Sequence, residues 1–257
     1  MNAIAIGAQA WTPAPATNAN ASSKRLARIG GLAYLALAAL TGFAYSASAS
    51  LYIAGDAAGT TARLAADPAL VRAAVAADLA GGVAWVLCAL ILYRLLVGLG
   101  PGAAQALVVF TSLGAGIMML NCVLQLAALR VATGAIDLPA LGAAGTSGAA
   151  QLLMDTHAYG TIVASVFMGL WLIPFGMLVR RSGGLLPGPV GSLLIIGGAC
   201  YLAKVLAAIL APELHEAIKG VILMVPTVPE VVMVGFLLVV GVRSPRPEGL
   251  QAVPREG

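Results

Sequence analysis

Nine side chains able to bind a solute or move a proton fall inside runs that are otherwise apolar: Asp78, Asn121, Gln125, Asp155, His157, Tyr159, Tyr201, Lys204 and Glu230. A charge near the centre of a bilayer costs about 2.5–3.5 kcal/mol on insertion scales, so such groups are expected to face a bundle interior and to have partners. Three chemistries suit these residue types. Carboxylates, amides and an imidazole together can bind a small polar solute, an ion or a proton. His157 as general base, with Glu230 as its acidic partner, would serve an intramembrane enzyme acting on a lipid or envelope precursor, and Lys204 would hold a phosphate as a point charge. In a structural or assembly subunit the same charges would only fix helix register, with Lys204 pairing Asp78 or Glu230.

Helical spacing groups these residues. Asn121 and Gln125 are i,i+4, as are Asp155 and Tyr159, and Tyr201 and Lys204 are i,i+3, so each pair shares a helix face. Counted from the outer end of each apolar run, the polar residues lie roughly 6–16 Å deep at ~1.5 Å per residue. That predicts one shared layer in the outer half of the bilayer, reached in the first run by Tyr45, Ser46 and Ser48. If the faces converge, they line a polar pocket open to the outside. Pro226 and Pro229 precede Glu230 and either break the last helix beside the charge, as at many membrane binding sites, or simply start it.

The elements that must position this layer are transmembrane helices. The 257 residues are 60% hydrophobic and 9% charged, against about 25% charged in soluble domains. Six apolar runs are long enough to span, at about 29–53, 73–97, 104–129, 150–179, 190–211 and 219–242. The predicted fold is all-α, a polytopic bundle of six helices over 24–243, between cytoplasmic tails at 1–23 (disordered) and 244–257. Lys24, Arg25, Arg28, Arg94, Arg180, Arg181, Arg243, Arg246 and Arg255 fall on one side, against Arg63, Arg72, Arg130 and Lys219 on the other. By the positive-inside rule the nine-residue side is cytoplasmic, which places both termini inside a multi-pass protein of the cell (inner or plasma) membrane. Gly81, Gly82, Gly114, Gly116, Gly197 and Gly198 are expected at helix contacts. Polar loops are expected at 54–72, with a short surface helix, and around Glu213, His215 and Glu216.

Several function classes drop out. The basic residues punctuate the ends of apolar runs and form no soluble basic face, so nucleic acid is not an expected partner; membrane lipids and a small polar ligand are. Cys88, Cys122 and Cys200 lie in apolar runs without C-x-x-C spacing and read as small buried hydrophobes. His157 with Asp78, Asp155 or Glu230 would give a nitrogen and oxygen set for a divalent cation, but no paired-histidine spacing supports it, so neither metal nor cofactor is expected. The basic cluster, the first apolar run and Ser46–Ser50 also have the pattern of a cleaved secretory signal, although the run is long for one.

Several stretches resemble a bacterial six-helix integral membrane family catalogued as domain of unknown function 4386. They are Gly55-Asp56-Ala57-Ala58 through Thr61 to Arg72, Ala77-Asp78-Leu79, Leu92-Tyr93-Arg94-Leu95-Leu96, and Asp155-Thr156-His157-Ala158-Tyr159-Gly160. Gly169 with Gly176, Arg181-Ser182-Gly183 and Pro229-Glu230 continue the series. The resemblance covers about residues 25–243. It implies six helices, argues against signal cleavage, and implies no activity. Asp78, His157 and Glu230 look like signature residues of that family.

Overall fold

The computed structural model describes residues 16–243. The described residues form seven α-helices and no strand: α1 Ala16–Leu51, α2 Ala57–Ala66, α3 Pro68–Leu96, α4 Pro101–Ala132, α5 Gly142–Arg181, α6 Gly188–Leu210 and α7 Pro212–Val239. Five helical stretches are long and apolar enough to cross a membrane: Ala21–Leu51, Pro68–Leu99, Pro101–Ala132, Pro139–Arg181 and Gly188–Leu210. In α7 the described apolar stretch is the shorter Met224–Val239. The expected tails at 1–15 and 244–257, with Arg246 and Arg255, lie outside the described residues.

The helices overrun the expected spans because their ends are built from helix-starting residues. Asp56 and Asp67 cap α2 and α3, their carboxylates accepting from the Gly59 and Leu70 amides at 2.8 and 2.9 Å, which satisfies otherwise orphaned first-turn donors. Proline stands in the first turn of α3, α4, α6 and α7, where its missing N–H costs nothing. Two readings change as a result. Residues 16–23, expected in a disordered tail, are the start of α1. Glu213, His215 and Glu216, expected in a loop, open α7, so Pro226 and Pro229 lie inside that helix and do not start it. The short helix foreseen in the 54–72 loop is α2.

Neighbouring helices pack in the order α1, α3, α4, α5, α6, α7, and α7 returns to α1, which closes a ring; α2 rests across α4 and α5 at one end. An aromatic plug fills the ring interior. Trp171 of α5 meets Tyr34 of α1 edge-on at 5.4 Å and Trp85 of α3 at 5.8 Å, and stacks on Phe175 at 5.7 Å. Tyr34, Trp85, Trp171 and Phe175 are all at most 2% exposed. A smaller apolar cluster, with Leu51, Leu64, Val71, Leu129 and Met154, seats α2 on the bundle end.

Close helix approach depends on glycine, as expected where lipid offers no hydrophobic drive and packing must supply the contact. Gly169 and Gly176 of α5 face Gly198 and Gly191 of α6. A Cβ on Gly169 would stand 2.7 Å from the Gly198 carbonyl oxygen, and one on Gly176 would collide with the Gly191 carbonyl. The two pairs are one heptad apart in opposite chain directions, so they fix the antiparallel register of α5 on α6. Of the glycines expected at contacts, Gly81, Gly82, Gly114, Gly197 and Gly198 are; Gly116 faces open space.

Candidate functional site

The polar residues form two interior groups, not one layer. The first lies toward the bundle end that carries α2. Asn121 of α4 donates from its amide to the His157 carbonyl oxygen at 2.8 Å, and His157 Nδ1 meets the Asn121 carbonyl oxygen at 3.2 Å. A carbonyl only accepts, so Nδ1 carries the proton in this contact and Nε2 is left as the basic nitrogen of the neutral ring. Gly160 makes room for the exchange, because a Cβ there would collide with the Asn121 amide. On the neighbouring side of α4, the Cys122 thiol points at the Asp78 carboxylate of α3, with Sγ 3.6 Å from Oδ2. Asp78 is also within electrostatic reach of His157. Gln125, one turn beyond Asn121, donates across the ring to Ser48 Oγ of α1 at 2.9 Å. The α4 face expected to carry both amides does so, but its two residues serve different helices.

Asp155 belongs to this end but to another face of α5. It accepts from the Tyr52 hydroxyl at 2.6 Å and from the Gln151 amide at 2.8 Å. Burial, then the hydrogen bond to Asp155, push the Tyr52 phenol from 10.0 up to about 12. Asp155 therefore ties the chain after α1 to α5 and turns away from His157. Its expected companion Tyr159 is 67% exposed on the outside of the bundle. Tyr45, at 64% exposed, also faces outward, and the Ser46 hydroxyl bonds back to its own helix at Gly42.

The second group lies around Glu230 of α7. The Tyr34 hydroxyl of α1 faces its carboxyl group without closing a hydrogen bond of ordinary geometry. Cys88 of α3 and Tyr201 of α6 complete the surroundings. Cys88 lies ten residues along α3 from Asp78, which is ~15 Å of helix rise. Glu230 is thus a layer deeper than Asp78 and His157, contrary to the single layer expected. The reason is the true start of α7 at Pro212, which puts Glu230 eighteen residues in, about twice the depth counted from the apolar run. Tyr201 belongs to the same deep group. Trp85 lies between Asp78 and Cys88 on α3, and the aromatic plug surrounds the deep group, to which Tyr34 itself belongs.

Lys204 joins neither. Its Nζ lies 5.4 Å from the centroid of the Tyr201 ring, the same-face contact expected from i,i+3 spacing, and it pairs with neither Asp78 nor Glu230. A phosphate-holding Lys204 beside His157 therefore has no geometric basis. Among the described residues, no three His, Cys, Asp or Glu side chains gather as a metal ion would require. Residue types alone did not single out Tyr34, Tyr52, Cys88, Cys122 and Gln151. A tyrosine one to two turns above Arg28 in an apolar run was a usable signal for Tyr34; the two cysteines read as ordinary core.

A ring of long apolar helices around interior polar groups defines a multi-pass membrane protein. Residues 29–241 match the family described as Domain of unknown function (DUF4386), and the chain belongs to that family. No curated protein and no solved structure matches the chain.

Proposed function

We propose that the protein crosses the membrane six times, with the basic end and both termini cytoplasmic, and binds a proton or a small cationic or polar solute at Asp78 and His157 from the outer side. One observation carries this reading: two acceptors, the Asp78 carboxylate and the His157 ring nitrogen not turned to Asn121, stand within electrostatic reach of each other across α3 and α5, and among the described residues no lysine or arginine pairs with either. Two such groups favour a shared donor, either a proton or the ammonium of a small solute. The neighbours hold both groups in place: Asn121 fixes the imidazole and Cys122 orients the carboxylate. α7 supports the six-span count, since its 28 residues extend ~42 Å, more than the ~30 Å of hydrocarbon. The nine-to-four split of basic residues supports the orientation.

The test is thermal unfolding of the purified protein in detergent against a panel of inorganic cations, small amines and neutral polar solutes. Stabilisation by at least one cation or amine is expected in the wild type and should vanish in Asp78→Asn and His157→Ala. Identical melting of wild type and both variants across the whole panel would overturn the reading.

A further inference from the structure

The basic end of the bundle holds a second candidate site. An open cleft of about 350 Å³ lies there, lined by Met177, Arg180, Arg181 and Ile195. It sits between the last turns of α5 and the first turns of α6. The Gly176–Gly191 contact, where the two backbones touch, lies beside it. The Arg180 stem lies along Gly191, and the Arg181 guanidinium extends over Gly100 in the α3–α4 turn. The wall below the arginines is apolar and turned outward, with Met177 37% exposed and Ile196, beside Ile195, 51% exposed.

The arginines of this end are not equivalent. Arg28 donates to the Val239 carbonyl, at 3.4 Å, and Arg243 lies over the Phe236 ring at 5.3 Å. Arg180 and Arg181 are exposed and make no hydrogen bond or ion pair with any described residue. No described acidic residue lies at this end: Asp56, Asp67, Asp137, Glu213 and Glu216 are all at the opposite one, and Asp78, Asp155 and Glu230 are within the bundle's helices. Among the described residues, the cleft therefore presents two guanidinium groups without an acidic partner above an apolar, outward-facing wall.

We infer that this cleft binds an anionic phospholipid, with the headgroup phosphate on Arg180 and Arg181 and an acyl chain along Met177 and Ile195. Guanidinium forks suit phosphate oxygens, and basic pockets between spanning helices at a headgroup layer suit acidic lipid. A soluble anion would use the arginines but leave the apolar wall without a role. A zwitterionic lipid would use the wall but bring its own cation to a site already carrying two. The inference needs only that this rim lies at a headgroup layer; it is independent of the Asp78–His157 reading.

Native mass spectrometry of the full chain, released from neutral detergent, tests it with three probes: phosphatidylglycerol, phosphatidylcholine of the same chains, and inorganic phosphate. The wild type should retain phosphatidylglycerol ~10-fold better than phosphatidylcholine, from two favourable charge contacts, and should not lose it to millimolar phosphate. The preference should disappear in Arg180→Gln/Arg181→Gln and persist in Arg130→Gln, which removes an arginine from the opposite end. Equal retention of the two lipids, displacement by phosphate alone, or an undiminished preference in the double variant would each overturn the inference. If the double variant does not fold, the wild-type competition among the three probes decides.

Discussion

The two interior polar groups are built on opposite plans. Around Asp78 and His157, four helices exchange directional contacts: amide to carbonyl, imidazole to carbonyl, amide to hydroxyl and thiol to carboxylate. Around Glu230, two tyrosines and a cysteine face a carboxyl group without an ordinary hydrogen bond from Tyr34, which is itself one ring of the aromatic plug. The first group is held by polar geometry, and the second by the packing of what encloses it. In low dielectric a polar group fully supplied with partners rigidifies its surroundings, while an incompletely supplied one costs free energy. In the deep group the Tyr34 hydroxyl is the buried donor left without a partner, and Pro226 and Pro229 remove backbone donors on the helix that carries Glu230.

That contrast can be broken from the packing side first. Trp171→Ala empties the plug beside the deep group, and a loss of about 3–5 kcal/mol is expected from the cavity. Denaturant titration in detergent measures it; a loss below ~1 kcal/mol would mean that the plug does not hold the deep group. Next is Gly160→Ala, which drives a methyl into the Asn121 amide. The clash and the broken exchange with His157 should together cost about 2–3 kcal/mol, and Asn121→Ala about 1–3 kcal/mol. If Gly160→Ala melts like the wild type, the reciprocal contact is not what positions the imidazole.

Smaller effects sharpen the same comparison. Tyr52→Phe removes one bond to Asp155 at a partly exposed position and should cost about 1 kcal/mol. The phenol is raised in the folded protein, so the contribution of its neutral form is fully present below pH 10.0 and is lost as pH rises toward about 12. Alkaline melting curves of wild type and Tyr52→Phe should therefore converge across that window; curves that stay parallel would contradict the contact. The smallest expected effect is a coupling. Asn121→Ala and Tyr34→Phe lie in different groups with no shared hydrogen-bond partner, and their stability changes should add to within about 0.5 kcal/mol. A larger coupling would show that the two groups act as one network.

Much of this was legible in residues taken one at a time. Gly55-Asp56 and Asp67-Pro68 mark the two ends of a short surface helix, and an aspartate cap followed by helix formers is a local event. The i,i+4 pair Asn121 and Gln125 and the i,i+3 pair Tyr201 and Lys204 needed only helix geometry. The depth of Glu230 did not follow from the last apolar run, because Pro212 starts the helix ahead of that run and carries polar residues into it. Tyr159 shares a face with Asp155, yet only the packing of α1 and α2 decides that Asp155 is covered while Tyr159 is left outside.

Composition and the spacing of apolar runs determined that the chain is a bundle of membrane-crossing helices with a basic end, because backbone groups must be satisfied within each helix in hydrocarbon and charge must stay near water. Only the tertiary structure decided which polar groups meet. The closing of the ring from α7 to α1 and the glycine register between α5 and α6 set which faces look inward and at what height, and neither is a property of any single helix. A side chain's depth and partners depend on where a helix begins and what it packs against, and those are relations between segments far apart in the chain.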